Sequence, residues 1–252
     1  NEIACNLRRK RLSNGAVQIT IPETSLRVFD NGEVSLRKLD RESPGRMFVS
    51  EMMIMANWLM ARFLADNNMP AIFRGQPEPK ARLYSPKKTT TLFQNWMQRR
   101  MLNRVIISPN PESHSGLGLD KYVTATSPIR RYFDLVTQRQ IRACFDMEQP
   151  YSADEIEKML QLLKPSLMNA GQVQMRRNRY WLLKYLEKQV GAKEEAIVLN
   201  KLRDKYIILL TNYLVECKLR SSGHWNLKPQ DLVQVTITHV DARRDALNVD
   251  LS

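Results

Sequence analysis

The spacing of polar and apolar positions changes character several times along this 252-residue chain. Residues 1–13 mix cationic and apolar positions at helical spacing, and Ser13-Asn14-Gly15 supplies a turn, so a basic amphipathic helix is expected there. Ala16–Ile21 and Leu26–Phe29 alternate as strands do, and Asp30-Asn31-Gly32 is a strong hairpin turn before Val34–Leu39. Ser43-Pro44-Gly45 breaks the chain. From Met47 to Ala65 nearly every face is apolar, which predicts a helix buried in a larger body. Its exceptions are Glu51, Asn57 and Arg62. Glu51, Met55, Trp58 and Arg62 share one stripe of that helix, either as a line of functional groups or as an ordinary solvent-facing edge.

Residues 66–90 read as a proline-rich, basic connection carrying Arg74, Lys80, Arg82, Lys87 and Lys88, and Leu92–Asn103 as a helix. Ser108–Leu119 is a loop rich in Pro and Gly. A helix starting at Pro128 would bury Ile129, Tyr132, Phe133 and Val136. Two further helices are expected over 152–164 and 167–189, the second basic at Arg176, Arg177 and Arg179 and apolar after Trp181. Gly191 marks a change to period two. Ala196–Leu199, Tyr206–Leu210, Val215–Leu219, Leu232–Val240 and Ala246–Leu251 read as short strands with polar turns, suited to a small closed barrel or a compact β-sandwich. The fold class is therefore α+β, mostly helical over 1–190 and a five-stranded oligonucleotide-binding (OB) type barrel over 191–252.

Composition narrows the partner. Lys and Arg outnumber Asp and Glu by 39 to 26, a surplus that suits a polyanion; a merely solvated basic surface is the alternative. Three cysteines, Cys5, Cys144 and Cys217, lie far apart with no C-x-x-C pair, which favours reduced thiols in a cytoplasm and argues against a zinc site. Three histidines leave little material for His-based chemistry. The longest apolar stretch, Met52–Ala61, is interrupted by Asn57 and too short to span a bilayer, so no membrane partner is expected. No signal peptide is visible, and the opening Asn1 suggests a trimmed or processed piece.

The sharpest local chemistry is Thr126-Ser127-Pro128-Ile129-Arg130-Arg131-Tyr132. Pro128 fits a first helical position, Ser127 before it can cap free amides, and Arg130 and Arg131 fall in the first turn. Such a start attracts a phosphate, although a plain structural cap has the same signature.

The neighbouring motifs resemble one family in order. Thr126–Tyr132 resembles the T-S-P-I-R-[RK]-Y signature of the RNB catalytic domain of the ribonuclease II / ribonuclease R family. Leu7–Val17 is similar to that family's basic helix and G-A-L turn, Val49–Asn57 to its [IV]-E-E-x-M-x-x-A-N helix, Met69–Arg74 to I-P-A-L-Y-R, and His114–Leu119 with Tyr122 to H-[FY]-[GA]-L-x-L-x-x-Y. Asp231–Leu251 is similar to the last strands of the barrel that ends these enzymes.

The resemblance implies hydrolytic 3′–5′ degradation of single-stranded RNA to 5′-nucleotides, with Mg²⁺ ions activating water and stabilising the leaving oxygen. It makes Arg130 the phosphate-stabilising catalytic residue and Glu51 a contact to the 3′-terminal nucleotide, with Arg131, Tyr132, Ser127, Arg74, His114, Arg176 and Arg177 as RNA-binding residues. Two departures stand out. Ser50 replaces the first of the family's paired acids. The family's metal-binding D-x₅-D-x-D-D cluster has no counterpart, because the chain contains no Asp-Asp and no Asp-x-Asp. Asp134 is expected to pair with Arg130 on the helix surface. The chain thus resembles the C-terminal part of an RNB enzyme, predicted inactive alone and partnered by RNA and by the missing N-terminal part. The alternatives are a non-catalytic RNA-binding relative and a general polyanion-binding protein.

Overall fold

The computed structural model describes residues 2–84, 90–221 and 225–252. Lys87 and Lys88, weighed above from the sequence, lie outside the described residues, as does His224, which the sequence also offers as a base-stacking group in a barrel loop or as part of a plain surface turn. The elements run α1 (Glu2–Ser13), β1 (Glu23–Val28), β2 (Val34–Leu39), α2 (Pro44–Asp66), β3 (Phe73–Gly75), α3 (Leu92–Met101), β4 (Ile106–Ser108), α4 (Tyr132–Ala143), α5 (Ala153–Glu187) and five barrel strands, β5 (Lys193–Lys201), β6 (Lys205–Leu210), β7 (Val215–Arg220), β8 (Leu232–Asp241) and β9 (Ala246–Leu251). By compactness they form two units: residues 1–20 with 41–167, and residues 21–40 with 168–252. The division lies inside α5 and assigns the β1–β2 hairpin to the barrel unit, unlike the 1–190 and 191–252 split read from the sequence.

In the first unit, Ser43-Pro44-Gly45 opens α2 instead of breaking the chain, since proline suits a helix N-terminus. The helix is 23 residues long, and by length and composition it is apolar enough to cross a bilayer, at mean hydropathy 1.2. The shorter apolar run seen in the sequence understated it. Its polar groups tie it instead into a folded unit: Glu51 and Asn57 are buried with protein partners. The all-round burial expected of this helix is also absent, since Phe48, Val49, Met53 and Leu59 are exposed. Ala16–Ile21 is extended without being a strand. It lacks a ladder partner, and single bonds hold it, Val17 N–H to the Gly116 carbonyl and Thr20 N–H to Asn95 Oδ1.

β3 pairs antiparallel with β4, Arg74 opposite Ile107, and a bridge from Phe73 to Val123 lies on its other side. Two small cores flank this strand. Phe73 packs with Ala61, Leu64, Ala71 and Val123, and Ile72 with Val136, Ile156 and Leu160. A capping box of Thr91 and Gln94 sets the start of α3. The two helices expected over 152–189 are one, because α5 continues through Pro165. Proline's φ is helical, and the carbonyl it leaves without a donor belongs to Gln161, an exposed residue that water can reach.

The second unit holds a closed barrel of order β5-β6-β7-β9-β8, the first of the two architectures the alternating runs allowed, and not a sandwich. Tyr206, Ile208, Leu210, Leu219, Val235, Ile237 and Val249 fill it, and Leu182, Leu183 and Leu186 of α5 join the same core. Leu26 and Leu36 of the hairpin pack against it.

Candidate functional site

The Thr126–Tyr132 segment does not start a helix at Pro128. Pro128, Ile129 and Arg130 form a tight turn in which the amides of Arg130 and Arg131 both donate to the Ser127 carbonyl, at 3.3 and 3.0 Å. α4 begins at Tyr132, with Arg131 extended at the cap position (φ −130°, ψ 108°). Proline at the second position of a β-turn is as favourable as at a helix start, so both conformations fit the local sequence. The decisive group is Asp134. Its Oδ2 accepts the Ser127 amide at 2.9 Å, pulling the turn back over the first turn of α4.

Three expectations are corrected by this geometry. Ile129 is fully exposed, not buried, and Tyr132 is half-exposed, its hydroxyl donating to Met159 Sδ at 3.8 Å. Ser127 does not cap; its hydroxyl accepts from Arg130 Nη2 at 3.5 Å. Asp134 pairs with Arg131, at 4.0 Å, and not with Arg130.

The turn is fixed from behind. Ala125 N–H donates to Asn57 Oδ1 at 3.0 Å, Asn57 Nδ2 donates to the Tyr122 hydroxyl at 3.1 Å, and Gln138 Nε2 donates to the Ala125 carbonyl at 2.7 Å. Helices α2 and α4 thus hold the strand that leads into the motif, while the side chains of Ile129, Arg130, Arg131 and Tyr132 point outward. The incoming loop is shaped by Gly118, at φ +65°, where a Cβ would stand 2.4 Å from the Arg11 carbonyl oxygen.

Arg74 on β3 belongs to the same neighbourhood, its amide donating to the Tyr122 carbonyl at 2.8 Å. Among the described residues its side chain makes no hydrogen bond or ion pair. Burial lowers its pKa, Arg131 adds to that, and Tyr122 and Asp134 oppose it. His114 is buried and meets the Tyr122 ring edge-on at 5.6 Å. Burial, helped by Arg74, pushes the imidazole down to about 4, so it is neutral at physiological pH. Among the described residues its Nδ1 has no partner, nor do Thr126 Oγ1 and Asp134 Oδ1, and these buried orphans all fall between residues 114 and 134.

Glu51 is placed otherwise than a nucleotide contact would need. It is 1% exposed, and both oxygens are taken: Oε2 by Arg11 Nε at 3.0 Å, Oε1 by Arg11 Nη2 at 2.6 Å and by Arg8 Nε at 3.0 Å. Arg8 also pairs with Glu42, and Arg11 Nη1 reaches the Leu117 carbonyl at 3.0 Å. Burial would raise the Glu51 pKa, but the hydrogen bonds from Arg11 and Arg8 outweigh it and hold the carboxyl below its usual range. Glu51 is a tie between α1 and α2. The signal for it was in the sequence, because Arg8 and Arg11 are three residues apart on one helix face. The rest of the Glu51 stripe splits: Trp58 donates to Asp120 Oδ1 at 2.8 Å, and the exposed Arg62 lies over the Trp58 ring at 5.3 Å.

In the second unit, Arg176 and Arg177 are exposed on α5, and Arg179 pairs with Asp245. β6 and β7 pair so that Lys205 faces Arg220 and Ile207 faces Lys218, which sets three cations on one barrel face. Trp225 packs partly against the barrel core, its carbonyl accepting the Tyr206 hydroxyl at 2.7 Å.

Among the described residues no three His, Cys, Asp or Glu side chains converge as metal ligands. The described residues therefore do not fit a Mg²⁺ pair.

Comparison with known proteins bears on the whole arrangement. The model of the RNB domain matches residues 1–146. An uncharacterized ribonuclease of Synechocystis is 33% identical over 245 residues, covering 94% of this chain but 36% of its own length. Among solved structures, an active-site mutant of the Dss1 exoribonuclease from Candida glabrata superposes with a TM-score of 0.83 at 18% identity, over 99% of this chain and 34% of that one. Mycoplasma genitalium RNase R in complex with ribose-methylated single-stranded RNA gives 0.74 at 16% identity, over 99% and 48%. The chain thus spans about a third to a half of the relatives it matches. Motif order, barrel topology and the domain match agree, and the chain belongs to the RNB-domain family, that of the ribonuclease II and ribonuclease R exoribonucleases.

Proposed function

We propose that this chain is the part of a hydrolytic 3′–5′ exoribonuclease that grips single-stranded RNA and supplies a phosphate-stabilising arginine. The supporting observation is the Pro128–Arg130 turn: it is braced by α2 and α4 and presents Arg130 and Arg131 outward, with Arg74 nearby and unpaired. Arg130 stabilises charge developing on a scissile phosphate, and Arg131, Arg74 and the Ser127 region hold the adjacent backbone. The barrel cations Lys205, Lys218 and Arg220, with Arg176 and Arg177, add sequence-independent phosphate contacts.

The acids that would hold Mg²⁺ are assigned to a further polypeptide segment, the N-terminal part that longer relatives carry, so this chain alone binds RNA without cleaving it. Three free cysteines suit a reducing compartment, the cytoplasm. The second reading, a non-catalytic RNA-binding relative, is favoured by Ser50 standing where the resemblance leads one to expect an acid.

The test is incubation of the chain with 5′-labelled single-stranded and duplex RNA, with and without Mg²⁺, followed on native and denaturing gels. Single-strand binding without shortening is expected. Equal binding of duplex favours general polyanion binding. Mg²⁺-dependent shortening from the 3′ end overturns the assignment of the metal ligands to another segment.

A further inference from the structure

Asp134 is doing more than a cap requires. Holding the Ser127 amide needs only an acceptor oxygen, which an asparagine carbonyl supplies as an aspartate does. The carboxylate is nonetheless 1% exposed and, among the described residues, leaves Oδ1 without a donor. A buried charge with an unsatisfied oxygen is costly. What faces it is cationic: Arg131 Nη1 lies 4.0 Å from Oδ2. The turn therefore carries one carboxylate beside a phosphate-binding arginine.

We propose that Asp134 is a positioning residue whose charge occupies Arg131 until an RNA phosphodiester displaces it, so that it weakens the grip on the backbone and eases its release. This rests on the RNA-binding reading above. An arriving phosphate competes with the carboxylate for the same guanidinium donors, and the 4.0 Å spacing of Arg131 from Oδ2 leaves that arginine able to turn outward. The Ser127 amide stays on Oδ2 throughout, so the turn keeps its shape.

A purely structural role and this one predict opposite signs. Removing the charge while keeping the acceptor, in Asp134→Asn, should tighten binding of a fluorescein-labelled 12-mer of oligoadenylate by roughly two- to fivefold, the scale of solvent-screened ion pairs. Its salt dependence should match that of the wild type, because the same phosphates are neutralised in both complexes. The gain should shrink when Arg131→Gln is added. Unchanged or weaker binding by a variant with native circular dichroism overturns the proposal, as does a full gain retained without Arg131. If Asp134→Asn fails to fold, Asp134→Ser, also an uncharged acceptor, is read by the same criterion. Failure of both to fold assigns Asp134 to structure alone and overturns it too. A wild-type chain that binds no RNA is a separate result: it removes the RNA reading itself, and this inference with it.

Discussion

Arg11 grips both carboxylate oxygens of Glu51, Nε on Oε2 at 3.0 Å and Nη2 on Oε1 at 2.6 Å. A two-pronged pair of this kind fixes orientation as well as distance, and it fastens α1 across α2. Glu51→Ala removes the anion that Arg8 and Arg11 share, leaving, among the described residues, Arg8 only Glu42 and Arg11 only the Leu117 carbonyl. The expected loss is about 3 kcal/mol of unfolding free energy, measured by urea denaturation near neutral pH. The pH dependence has a definite sign. The folded pKa is held below the unfolded one, so the contribution is complete above the ordinary glutamate value and lost as pH falls from there through the lowered folded value.

His114 acts in a higher window. It is buried neutral, with its pKa pushed down to about 4 from 6.5. The unfolded chain takes up a proton that the folded chain refuses, so stability should fall as pH drops from about 6.5 towards 4, by up to about 3 kcal/mol. His114→Gln should flatten that part of the curve and leave the more acidic fall due to Glu51 in place. Denaturation series at pH 7, 5 and 4 separate the two; an unchanged slope between 6.5 and 4 would contradict the burial argument.

Asn57 is buried in the middle of an apolar helix because it serves two groups at once, the Ala125 amide and the Tyr122 hydroxyl. Asn57→Leu strands both inside the protein. The expected cost is about 2–3 kcal/mol, with faster hydrogen exchange at the Ala125 amide as the local sign that the strand before the Pro128 turn has loosened.

Gly118 admits no side chain. Its φ of +65° strains any L residue, and the added methyl would stand 2.4 Å from the Arg11 carbonyl oxygen and 2.8 Å from the Ala16 nitrogen. Both neighbours are backbone and have little room to yield. Gly118→Ala should lower the unfolding free energy by at least about 2 kcal/mol in thermal or urea melts; a change within error would mean that the loop relaxes freely.

The barrel and the β1–β2 hairpin were legible because period-two runs between polar turns have few other solutions, and Gly32 does take the positive φ, +80°, that the hairpin turn asks for. α1, α2 and α3 were legible from periodicity and breakers, to within a few residues. What was not legible depends on groups distant in sequence. β3 and β4 are three residues each and show no period. The Pro128 turn and a Pro128 helix start look alike until Asp134 takes the Ser127 amide from seven residues away. Glu51 read as a substrate contact because its saturation comes from α1, 40 and 43 residues earlier in the chain. Motif order thus singled out Glu51 and the Thr126–Tyr132 segment, and their contacts depend on residues far away in the chain.

Arg130 and the barrel cations should separate chemistry from grip. Arg130 sits on the outward turn, its side chain hydrogen-bonded among the described residues to the Ser127 hydroxyl alone, at 3.5 Å, and so is free to follow charge that develops on a phosphate. In a complete RNB protein carrying this segment, Arg130→Ala is expected to lower turnover by about 10²–10³ while RNA affinity hardly moves, because stabilisation confined to the transition state leaves ground-state binding alone. Lys218 and Arg220 are exposed, and Arg220 faces Lys205 across the strand pair, where like charges repel unless a polyanion lies over them. Lys218→Ala with Arg220→Ala should weaken binding of every single-stranded sequence alike and flatten the salt dependence by about 0.7 in slope per lost phosphate contact. Turnover at saturating RNA should be unchanged. Equal effects of the two sets of changes on affinity would show that the turn grips RNA as the barrel does and stabilises no transition state.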